Sequence, residues 1–105
     1  MALLGQVDLA AGVETALYAP APSTVGTIKL ICTNRNLGTN ARVRVILRPG
    51  TGPTVAEDYL AFDEDIPARE SRVSAVIDVP NPAEVRVESD VVGVTFQANG
   101  IERTP

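Results

Sequence analysis

A chain of 105 residues with a formal charge of −4 has room for one domain around one core. It contains no histidine, no tryptophan and a single cysteine. This excludes Ser–His–Asp and Cys–His catalytic pairs, the usual histidine-containing metal sites and any internal disulfide. No run approaches the roughly 18 apolar residues of a membrane span. Residues 1–5 are apolar but lack a basic leader, so no secretory signal is expected.

Fourteen valines favour sheet, because branching at Cβ suits a pleated surface. Eight prolines and eight glycines spread along the chain disfavour long helices. A first short strand is predicted over residues 4–9, ended by Ala10, Ala11 and Gly12. A second covers 14–19, with Leu17 and Tyr18 on opposite faces, and Pro20 and Pro22 stop it. The third covers 24–34. Its period of two puts Gly26, Ile28, Leu30 and Cys32 on a core face. Val25, Thr27, Lys29, Ile31 and Thr33 share the other face, half apolar and suited to a neighbour.

The fourth strand, 41–48, has the clearest pattern. Ala41, Val43, Val45 and Leu47 alternate with an outer row of Arg42, Arg44, Ile46 and Arg48. After the Pro/Gly loop 49–53, a fifth strand is predicted at 57–62 and a sixth at 72–79, with Val73, Ala75 and Ile77 on one face. Residues 83–88 and 91–98 are expected to form a hairpin around Ser89 and Asp90. The ends, 1–12 and 99–105, are expected to be flexible arms that reach neighbours. Seven or eight short strands with turns every 8–12 residues or so describe an all-β fold, an antiparallel β-sandwich or jelly-roll, in a single domain over 1–105.

Cys32 falls in register with Ile28 and Leu30, so it reads as a small buried apolar side chain with no base to activate it. Glu57, Asp58, Asp63, Glu64 and Asp65 form an acidic cluster. It lacks EF-hand spacing and reads as a solvated turn, with calcium binding the sharper alternative. Arg42, Arg44 and Arg48 are expected to pair across strands with Glu84, Glu88 or Glu57, or to meet an acidic neighbour. Aromatic residues are not interleaved with them, so nucleic acid is not expected as a ligand. The candidate interface is therefore Lys29, Ile31, Arg42, Arg44 and Arg48. Tyr59 beside Asp58 is the candidate sugar contact should the domain bind host-surface glycans. No enzymatic machinery, cofactor or membrane partner is expected.

The stretches "ETALYAPAPSTVGTIKLICTNRNLGTNARVRVILRPG", "EDYLAFDEDIPARESRVSAVIDV" and "EVRVESDVVGVTFQANGIE" together resemble small tailed-bacteriophage virion structural proteins. The matching positions are Thr15, Leu17, Tyr18, Cys32, Asn34, Arg35, and Arg42 or Arg44. Further on they are Tyr59, Leu60, Asp63, Ile66, Pro67, Val85, Val87, Val94, Phe96 and Gly100. The matched positions read as turn and core residues. The resemblance implies a β-sandwich in the virion, assembled in the bacterial host cytoplasm. Its implied role is a capsid decoration or cement protein stabilising the phage head, with a tail or baseplate component as the rival. It also implies a homotrimer whose partners are itself and the major capsid protein or tail proteins.

Overall fold

The computed structural model describes residues 2–50, 52–74 and 76–104; the side chains of Ala2, Glu57 and Phe62 also lie outside the description. The strands are β1 (Ala2–Asp8), β2 (Thr15–Tyr18), β3 (Val25–Asn34), β4 (Ala41–Arg48), β5 (Tyr59–Ile66), β6 (Ser71–Val73), β7 (Ile77–Pro80), β8 (Glu84–Ser89) and β9 (Val94–Arg103). One 3-10 turn, Ala56–Asp58, precedes β5. The fold is an antiparallel β-sandwich. A five-stranded sheet runs β1–β9–β3–β6, with β7 continuing the same edge of β3, and a four-stranded sheet runs β2–β8–β4–β5.

The core follows the alternation. Along β3, Gly26, Ile28, Leu30, Cys32 and Asn34 are buried and the intervening residues half-buried. Val94, Phe96 and Ala98 of β9 lie on the same inner surface. Ala41, Val43 and Val45 of β4, with Val85 and Val87 of β8, close on them from the other sheet. Asn34 is the one fully buried amide among the described residues, and its four polar contacts satisfy it. Its Nδ2 donates to the carbonyls of Thr39 and Ile66, and its Oδ1 accepts from the backbone and side chain of Asn36. The bond to Ile66 ties β3 to β5 across the two sheets.

Several expectations are corrected. Leu17 and Tyr18 are both buried, because the pairing of β2 with β8 shifts register between Ala16 and Tyr18 and turns two successive side chains inward. The Tyr18 ring then lies over Gly26, where any Cβ would run into it, and its hydroxyl donates to Glu102 at 2.8 Å. Residues 83–88 and 91–98 are not a hairpin. β8 and β9 belong to different sheets, so their valine faces meet across the core instead of lying side by side. Gly93, at φ 84, makes the change of sheet, and its carbonyl accepts from Arg35.

The sixth predicted strand is two strands. At Ser74 the backbone still bonds Leu30, but the serine Oγ takes the Leu30 N–H that a continuing ladder would use. The break changes the parity. Val73 pairs with Ile31 on the outer face, whereas Ile77 pairs with Ile28 on the inner one; Ala75 lies outside the described residues. The terminal segments are strands and not free arms. Residues 2–8 pair with β9, and 99–103 complete a ten-residue ladder with β3. Their polar side chains face outward while the backbone groups pair, which is why composition alone reads them as loose.

Candidate interaction surfaces

The outer face of the four-stranded sheet holds the arginine row. The ladder sets Glu88 opposite Arg44, Arg86 opposite Ile46 and Glu84 opposite Arg48. The closest ion-pair partners come from elsewhere. Arg44 Nε donates to Asp63 Oδ1 at 2.7 Å, and its guanidinium lies 6.0 Å from the Tyr59 ring centroid. Asp63 reaches it because β5 is irregular there. The residue sits at φ 53, a left-handed conformation that aspartate tolerates. The Arg44 hydrogen bond holds the Asp63 carboxyl below its ordinary pKa and holds the guanidinium up in turn.

Arg48 is turned inward to the loop that follows it. Its Nη1 donates to Asp58 Oδ2 at 3.2 Å, and the same carboxylate oxygen accepts the Val55 N–H at 3.0 Å. Asp58 is only 5% exposed, and the Arg48 Nε is buried without a hydrogen-bond partner. Arg86 ties down the rest of the loop. It donates to Glu84, Glu14 and the Gly52 carbonyl. Residues 52–58 thus return across this face, and Ile46, outward by alternation, is fully buried. Of the three arginines, Arg42 is exposed and has no ion pair among the described residues. The carboxylate expected to join Tyr59 in holding a sugar is spent on Arg48. Glu57, expected as a partner of the arginines, has its side chain outside the description.

Lys29 and Ile31 lie on the opposite side of the molecule, so the predicted interface residues divide between two outer faces. On the five-stranded sheet, cross-strand rows run Gln6–Gln97–Ile31–Val73 and Leu3–Asn99–Lys29. Ile31 and Lys29 are half-buried by these neighbours, while Leu3, Ile101 and Val73 are more than half exposed.

The third surface was not visible in the sequence. β1 and β2 approach closely on one side of the sandwich, where a Cβ on Gly5 would meet the Leu17 carbonyl. On the other side, β5 and β6 end their sheets and do not pair with each other. Between them a cleft of about 170 Å³ enters the core, walled by Leu30, Cys32, Val45, Ile66, Ile77 and Phe96. Arg72 pairs with Cys32 and Glu64 with Val43, so both are inward positions that end at the mouth. Their signal is register, which single-strand alternation does not supply. Burial, reinforced by Glu64, pushes the Cys32 thiol up to about 12, with Arg72 opposing. The thiol is a wall residue and not a nucleophile.

Asp58 and Asp63 are drawn to different arginines, and no group of three or more His, Cys, Asp or Glu among the described residues could hold a metal ion. Among the same residues no helix is long and apolar enough to cross a membrane. Comparison of the chain with protein-family models, curated proteins and solved structures gives no match.

Proposed function

We propose that this β-sandwich is a non-enzymatic structural protein of a bacteriophage particle, a capsid decoration or cement protein that stabilises the head. The reading rests on the sequence resemblance and on one structural observation. The outer face of the five-stranded sheet presents Leu3, Ile31, Val73 and Ile101 without a covering layer, in a small domain that gains by association. Copies meet on this face as a homotrimer, since closed symmetry would bury the same apolar rows in every subunit. Arg42 on the opposite face is left for an acidic neighbour in the shell. Immunogold labelling of purified particles tests the assignment. Label over heads is the expected result, label over tails moves the protein to the tail or baseplate, and particles free of label overturn a virion role.

A further inference from the structure

We infer that the cleft between β5 and β6 is a receptor for one bulky apolar side chain, presented by an extended, basic segment of another protein. This deepens the structural role proposed above and rests on it for the nature of the partner.

The cavity sets the apolar half of the recognition. Its inner walls are mostly aliphatic or aromatic, joined by the Cys32 sulfur and Ser74, with Glu64 and Arg72 at the mouth, and its volume is about 170 Å³. A dry apolar cavity of roughly 150 Å³ accepts a benzene molecule. One leucine, isoleucine, methionine or phenylalanine side chain is of the same order. Leu60 and Val73 at the rim are 51% and 63% exposed, so apolar surface continues outward from the mouth. An inserted side chain would also cover these.

The lips set the charge. Glu64 lies on the β5 side and has no hydrogen bond or ion pair among the described residues beyond the field of Arg72 across the mouth, while the next residue, Asp65, stands opposite Arg42 on the outer face. Arg72 itself is engaged, with Nη1 2.9 Å from Glu70. The uncommitted charge at the mouth is therefore negative, and it selects a lysine or arginine beside the inserted residue. A second copy of this chain fits less well. Pairing β5 with another β5 would set Asp63, Glu64 and Asp65 against the same acids, and inward charges at a sheet edge are a common device against such pairing.

The segment must be extended, because the entrance is a slot between two edge strands that do not pair with each other. Its backbone can add to the outer edge of β5 on either side of the irregularity at Asp63 while one side chain enters the core.

Methyl NMR on the intact protein tests this. Benzene is added first, then three peptides: acetyl-Lys-Gly-Leu-Gly-Lys-amide, the same peptide with alanine for leucine, and the same peptide with glutamate for both lysines. Benzene and the basic leucine peptide should shift the Leu30, Val45 and Ile66 methyls. The alanine and glutamate peptides should bind at least about tenfold more weakly, a difference of about 1.4 kcal/mol. A Glu64→Lys variant, altered only at an exposed position, should reverse the charge preference. Cleft methyls unmoved by benzene, or equal binding of the basic and acidic peptides, would overturn the inference. Peptide binding by a protein absent from particles would keep the cleft and remove the virion reading. Labelled particles with a silent cleft would do the opposite.

Discussion

Asp58 and Arg48 form a pair in which the carboxylate has almost no contact with water. Removing only the cation leaves a buried charge with the Val55 N–H as its one remaining hydrogen-bond donor among the described residues. Arg48→Met should therefore cost about 3 kcal/mol in urea unfolding, within the range for breaking one side of a buried pair. Adding Asp58→Asn to it should recover a large part, because the amide needs no counter-charge. A double variant as unstable as the single one would show that residues 52–58 are held by something other than this pair. Cys32 makes a second residue-scale case. Its folded pKa, near 12, lies above the ordinary thiol value of about 8.5. The folded state thus holds the proton more tightly, and that contribution is complete below about pH 8.5 and is lost as pH rises toward 12. At pH 8 the thiol should resist a disulfide-exchange reagent until urea unfolds the chain, and denaturation midpoints should fall above pH 9. Rapid labelling of the folded protein at pH 8 would contradict the burial.

At the scale of elements, β9 carries the most unexpected burden. Its residues 94–103 pair with all of β3, and its middle also pairs with β1. Glu102 receives the Tyr18 hydroxyl and the Ala21 N–H. Deleting 99–105 should consequently remove several kcal/mol, a large share of the roughly 5–15 kcal/mol of an ordinary domain, and leave little folded protein at 37 °C. Circular dichroism and thermal melts would detect it, and an unchanged melting temperature would restore the idea of a free arm. The strand itself was legible as far as Ala98, where Val94, Phe96 and Ala98 alternate. Beyond that point Asn99, Glu102 and Arg103 offer no apolar rhythm, although the backbone ladder continues. Similar physics limited the rest. β3 and β4 were read correctly because alternation reports burial along one strand. The hairpin expected around Ser89 failed because alternation does not report which sheet a strand joins. The break at Ser74 depends on a side-chain oxygen replacing a ladder bond. For the site, the arginine row was legible, but the partners Asp58 and Asp63 depend on a loop that folds back and on an irregularity in β5.

For the whole molecule, the two outer faces and the open side have different chemistry. The four-stranded face is self-satisfied through Arg44–Asp63, Arg48–Asp58 and the Arg86 contacts. The Arg44–Asp63 pair, more exposed than Arg48–Asp58, adds little stability, and its use is to fix geometry. The five-stranded face is half apolar and is the face proposed for self-association. Ile31→Glu should turn a trimer, three times the 11.1 kDa chain mass, into monomer with the fold retained. Arg42→Glu should leave the trimer intact. Sedimentation velocity distinguishes them, and a trimer that survives Ile31→Glu would move the contact to another surface.

The central claim is that the protein works by adding itself to a particle. It is tested most directly by light scattering on the purified protein, alone and mixed with capsids stripped of accessory proteins. A discrete oligomer whose addition raises capsid mass to a saturating value is the predicted result. Capsids unchanged in mass at excess protein would contradict the decoration role.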